Sequence, residues 1–201
     1  MKSCQVELVE TGVSFNVSRL RQAQADNFDK ANFQIATLSK SIAMNNITIV
    51  PYEAKYQPYF ELFNRQWIEA WFTMEPVDEY VLTNPEEAIL KNGGAILMAL
   101  YDGEAAGTVG LRKVDDRTYE FTKMAVGETF RRRGIAEALS YASFDKARAL
   151  GATKVILYSN TKNANAIKLY EKIGFKHLPV EPGVYERANV KMAIAIVGSE
   201  V

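Results

Sequence analysis

The sequence predicts an α/β (α+β) domain, a mixed and mainly antiparallel central sheet with helices on both faces. Three observations carry this reading. From Ile47 onward the apolar pattern runs in the order β-α-α-β-β-β-α-β-α-β-β. Asp102-Gly103 joins two strand-like runs as a tight hairpin. Two later helical runs stop at Gly151 and Gly174, and each hands over to an apolar strand.

Taken in order, ITIVPY from Ile47 is the first strand. Residues 53 to 73 then carry Tyr56, Tyr59, Phe60, Phe63, Trp67, Ile68, Trp71 and Phe72 at spacings mainly of three and four, a helical period. Asn84-Pro85-Glu86-Glu87 reads as a helix start: a capping side chain, proline at the first helical position, then acids in the first turn. That helix should end at Gly93-Gly94, and residues 73 to 84 before it read as a loop. AILMALYD and EAAGTVGLRKV pair across Asp102-Gly103, and TYEFTKMAV adds a third antiparallel strand. A helix from Gly134 to about Leu150 leads to the strand KVILYSN, and a helix from about Asn163 to Ile173 comes next. FKHLPV and RANVKMAIAI close the sheet.

Residues 1–46 differ in composition from residues 47–197. They are rich in Gln, Asn and Ser and lack proline and tryptophan, which suits a leader or a helical appendage. Twenty-four basic residues balance twenty-four acidic ones, so no global field attracts nucleic acid. No apolar run reaches the ~18 residues that would span a bilayer. The single cysteine, Cys4, excludes an intrachain disulfide, and the single histidine, His177, excludes a multi-histidine metal site. A soluble, cytoplasmic protein without a metal, a nucleic-acid partner or a membrane is expected. The oligomeric state stays open, with a homodimer allowed.

The segment between TYEFTKMAV and IAEALSYASFDKARAL has the makings of a phosphate cradle. Arg131, Arg132 and Arg133 supply fixed positive charge. Gly134 lets a ligand approach the backbone, and the helix beginning at Ile135 and Ala136 brings free N–H groups and a favourable dipole. The spacing Arg131-x-x-Gly134-x-Ala136 is neither a P-loop nor a dinucleotide fingerprint. Taken alone, it is equally compatible with a solvated loop. A second run, SNTKNANAIKLYEKIGF, places Asn160, Asn163, Ala166, Leu169-Tyr170 and Gly174-Phe175 at helical spacing.

With both motifs in register, the sequence resembles the GNAT superfamily of acyl-CoA-dependent N-acyltransferases over about residues 47 to 197. The resemblance implies an acetyl-CoA-dependent N-acetyltransferase of that fold, acting by direct attack on a small-molecule or peptide amine. It implies that TKMAV and KVILYSN splay apart, so that the backbone of Met124, Ala125 and Val126 pairs with the pantetheine arm. The acyl carbonyl would meet an N–H near Val126. The pyrophosphate would take the amides from Arg132 to Ala136, and Asn160 and Asn163 would bond the pantetheine end. Tyr170 would protonate the departing thiolate. Glu120 is the leading candidate to accept the amine's proton, and Glu75 is the second; an acid at 120 could equally face solvent or pair with Arg112 or Lys123. Trp67, Trp71 and Tyr185 could line an acceptor pocket or belong to the core. The alternative function is a catalytically weak acyl-CoA-binding sensor.

Overall fold

The computed structural model describes residues 46–181 and 185–196, so the expectations for residues 1–45 lie outside it. Its seven strands form one sheet: β1 (Ile47–Pro51), β2 (Ala95–Tyr101), β3 (Glu104–Lys113), β4 (Thr118–Val126), β5 (Lys154–Ser159), β6 (Lys176–Leu178) and β7 (Val190–Ala195). The spatial order is β1-β2-β3-β4-β5-β7-β6. All neighbours are antiparallel except β4 and β5, which run parallel. The predicted mixed, mainly antiparallel sheet is the one observed.

β2 explains why both faces must be covered. Alternate residues point to opposite faces of a strand, and here Ala95, Leu97 and Ala99 enter one core while Ile96 and Met98 enter the other. The first core lies under α3 (Ile135–Ala149) and α4 (Ala164–Lys172), whose Ile135, Leu139, Phe144 and Tyr170 pack against it. The second lies under α1 (Gln57–Trp71) and α2 (Pro76–Thr83), through Phe60, Ile68, Val81 and Leu82. The hairpin forms as read: Asp102 and Gly103 both take positive φ, 51° and 86°, as a type I′ turn requires.

The structure departs from the sequence reading between residues 73 and 94. Pro76–Thr83 is a helix rather than a loop. Pro76 opens it, and the Asp78 carboxylate accepts the Glu75 N–H at 3.3 Å. Burial of Val81 and Leu82 holds it to the second core. Asn84 therefore ends a helix, its N–H donating to the Tyr80 carbonyl at 3.0 Å. After Pro85 the chain makes a single wide turn, Glu86–Leu90, closed by Lys91 N–H on the Glu86 carbonyl at 2.9 Å.

The approach of α3 to the sheet depends on a missing side chain. A Cβ on Gly107 of β3 would stand 3.1 Å from both Ile135 Cγ2 and Leu139 Cδ1, and 3.0 Å from the Ala125 carbonyl oxygen. Gly107→Val should therefore lift the helix and destabilise the fold by about 1–3 kcal/mol. Urea denaturation checks this; an unchanged midpoint would show that the helix is not seated as described.

Candidate active site

The site begins where two parallel strands part. β4 and β5 pair only through Thr118–Lys154, Tyr119–Val155 and Glu120–Ile156. Beyond that point β4 stays bonded to β3, and β5 to β7, with no ladder between them. A β-bulge lies at the divergence. Thr108 faces Ala125 and Gly110 faces Thr122, so two residues of β4 oppose one of β3, and Lys123 takes φ +50°. The gap opens into a cavity of about 520 Å³ walled by Met124, Ala125 and Val126 on one side and by Tyr158, Ser159 and Asn160 on the other.

At one end lies the arginine loop. Arg131 N–H donates to the Glu128 carbonyl at 3.4 Å, and the next amide in use is that of Ala138, on the Gly134 carbonyl at 3.0 Å. The amides from Arg132 to Glu137 donate to no protein acceptor among the described residues. Arg132 and Gly134 both take positive φ, 62° and 80°, which curves this run into a concave nest suited to anions. Arg131 and Ala136 line the cavity. Arg131 also pairs with Glu128 at 3.3 Å, and Arg133 lies 4.7 Å over the Tyr101 ring. Ile135 buries its side chain in the core, so only its backbone faces this role. A Cβ on Gly134 would meet open space; what demands glycine here is its left-handed conformation.

Tyr170 is placed by aromatic packing. Its ring meets Phe121 edge-on at 5.8 Å and Phe175 at 5.9 Å, and the residue lines the cavity. The hydroxyl has no hydrogen-bond partner among the described residues. Burial pushes the phenol above its ordinary pKa, which keeps it protonated. Asn163 lines the cavity and caps α4 without a side-chain bond. Asn160 lines it too, but its amide is occupied: Nδ2 donates to the Arg187 carbonyl at 2.6 Å and Oδ1 accepts the Lys162 N–H at 2.9 Å.

Glu120 is not brought to the cavity. It is 1% exposed and held by Arg112, its register partner on β3, with Oε2 accepting Nε at 3.0 Å and also the Nη2 group. Glu75 stands behind the wall, bridged to Arg187 Nη1 at 2.9 Å. The sequence reading missed the charged cluster between these parts. Asp78, fully buried on α2, accepts Lys123 Nζ at 2.7 Å, and Arg187 clasps both its oxygens at 2.5 and 2.9 Å. Burial alone would raise the Asp78 carboxyl. The Arg187 hydrogen bonds and the Lys123 charge outweigh that and hold it below the ordinary carboxylate range. Trp67, Trp71, Phe72 and Tyr185 complete the wall on this side. Among the described residues, no cluster of three or more His, Cys, Asp and Glu could hold a metal ion, and no helix is long and apolar enough to cross a membrane.

Residues 56–175 match the acetyltransferase (GNAT) family, and the chain belongs to that family. It is similar to N-acetylaspartate synthetase of Rattus norvegicus, 31% identical over 106 residues. That match takes in 52% of this chain but only 33% of the relative, so the chain spans about a third of its length. Its fold is similar to a GNAT-family acetyltransferase of Staphylococcus aureus Mu50 (TM-score 0.68, 21% identity, 75% of this chain and 99% of that one). It is also similar to a spermidine N-acetyltransferase of Vibrio cholerae solved with CoA and spermine (TM-score 0.57, 21% identity, 75% and 96%).

This geometry has two measurable consequences. Asp78→Asn leaves Lys123 without its buried counter-charge and Arg187 with Glu75 alone, and should cost about 3–5 kcal/mol in urea denaturation, part of it regained in Asp78→Asn/Lys123→Met. The depressed carboxyl of the native protein contributes stability that is present above its unfolded value of about 3.9 and is lost as pH falls through the folded value, so the Asn variant should lack that acid-side slope. Gly134→Val forces a β-branched residue into left-handed backbone and should weaken acetyl-CoA binding about tenfold or more, beyond the loss from Arg132→Ala. Calorimetry on folded variants reads this directly; unchanged affinity would remove the nest from the CoA site.

Proposed function

We propose that the chain transfers an acetyl group from acetyl-CoA to a primary amine by direct attack. One observation carries this reading: a single cavity joins the free edge of β4, the unspent amides after Arg131 and the unpartnered Tyr170 hydroxyl. Backbone groups of Met124, Ala125 and Val126 pair with the pantetheine arm as an added strand would. The amides from Arg132 to Ala136 take the pyrophosphate, with Arg131 beside them, and Asn163 has a free amide for the pantetheine end. Asn160 contributes by holding the Arg187 and Lys162 backbone in place.

The chemistry comes from these positions. A neutral amine attacks the thioester carbonyl, and the developing oxyanion is stabilised by an N–H near Val126. The tetrahedral species collapses, the C–S bond breaks, and the sulfur takes its proton from Tyr170. The amine's proton leaves through cavity water, which in turn reprotonates the Tyr170 phenolate, since Glu120 is committed to Arg112 outside the wall. No covalent enzyme intermediate is needed, because the free amine is itself the nucleophile.

Tyr170→Phe removes only the hydroxyl. Turnover should fall about 10²–10⁴-fold, the usual worth of general acid catalysis, while acetyl-CoA affinity and stability barely change. The deficit should shrink as pH rises past about 8.5, the ordinary thiol range, where sulfur can leave as thiolate. Stopped-flow thiol release measures both. Full turnover at neutral pH, with chemistry rate-limiting, would exclude Tyr170 as the acid. CoA binding without thiol release from any amine would leave the sensor reading instead.

A further inference from the structure

We infer that the amine acceptor of this chain also carries a carboxylate, as an amino acid does, and that Arg187 and Lys162 bind that carboxylate. The inference rests on the acetyl-transfer reading and names the acceptor for it. Its first support is the sign of the wall. Four cations line the cavity, Lys123, Arg131, Lys162 and Arg187, and among the described residues no Asp or Glu does. Arg131 belongs to the nest, which leaves three cations on the remaining wall. The nearby carboxylates, Asp78 and Glu75, stand behind this wall, where they balance Lys123 and Arg187. Lys162 is exposed and has no carboxylate partner among the described residues, so the cluster carries one unspent positive charge.

The second support is how the cations are held. Lys162 Nζ and the Arg187 guanidinium carbon lie 5.5 and 5.8 Å from the centroid of the same Phe72 ring. Arg187 also lies 5.3 Å from the Tyr185 ring. Aromatic faces attract cations without neutralising them, so both cations are held beside the same ring with hydrogen-bonding capacity left over. Guanidinium has five N–H donors and ammonium three, more than Asp78 and Glu75 consume. A carboxylate lodged between them would gain charge-assisted bonds from each. A polyamine would instead meet these cations with its remaining ammonium groups and find no acid on the wall to receive them. The wall favours the anionic acceptor.

The test compares alanine, aspartate, alaninamide and spermidine as acceptors, with thiol release from acetyl-CoA as the readout. Alanine and aspartate should exceed alaninamide in kcat/KM by about tenfold or more, although the amide has the less basic amine and so the larger free-base fraction. Lys162→Gln should lower the alanine-to-alaninamide ratio about fivefold, and Arg187→Lys should lower it as well. Arg187 also braces Asp78, so the exposed Lys162 carries the test if the Arg187 variant fails to fold. Alaninamide or spermidine used as well as the amino acids overturns the inference and leaves acetyl transfer standing, as does a Lys162→Gln effect confined to the KM for acetyl-CoA. Thiol release with none of these amines, nor with a wider panel, overturns both.

Discussion

Two of the cations that line the cavity are tied to one buried carboxylate. Asp78 is reached by Lys123 from the bulge of β4 and by Arg187 from the segment entering β7, and it also caps the backbone at the start of α2. Three pieces of chain that are distant in sequence therefore meet on two oxygens. A lysine buried in a strand, in left-handed backbone, is costly in conformation and in desolvation. It persists because the ion pair compensates where water cannot. The bulge it occupies lies just past Glu120, where the ladder between β4 and β5 ends.

This arrangement also explains how a chain of zero net charge presents a one-signed surface inside. The acids are set into the layer behind the wall and the bases into the wall itself. A carboxylate behind a guanidinium orients it and limits its desolvation cost, much as a second partner orients a metal-bound imidazole. The outward face of the guanidinium keeps its remaining donors. Composition counts charges, but the field in a cavity depends on which sign stands in front.

The β hairpin, the glycine stops and the arginine loop were legible in the sequence because each is a local signal, decided by residues within a few positions. α2 was not. Glu75-Pro76 reads as a turn, and the helix is only eight residues long before Asn84, so it has little periodicity to show. The bulge left a trace that strict alternation overlooks. In β4 the residues facing the first core are Tyr119 and Phe121, then Met124 and Val126, a switch from odd to even positions at Lys123. The Asp78 cluster had no local signature at all, since its members are 45 and 109 residues apart. Glu120 was read as the leading proton acceptor, with solvent exposure or a pair with Arg112 or Lys123 as the alternatives, because a strand pattern does not choose among cross-strand partners. Register supplies Arg112, and that pairing takes it out of the cavity.

Tyr170 shows why a core reading and a functional reading of one residue need not compete. Its ring belongs to a cluster with Phe121, Phe144 and Phe175, whose mutual contacts are largely edge-on or tilted at 5.7 to 6.5 Å. Such packing is favourable in itself, and it fixes the ring while leaving the para position to point where the neighbours end. Phe121 is the first residue of β4 after the parting, so the cluster ends at the cavity. Burial that stabilises the ring also raises the phenol's pKa, and so keeps the phenol protonated. The core thus supplies both the position and the protonation state that a proton donor requires.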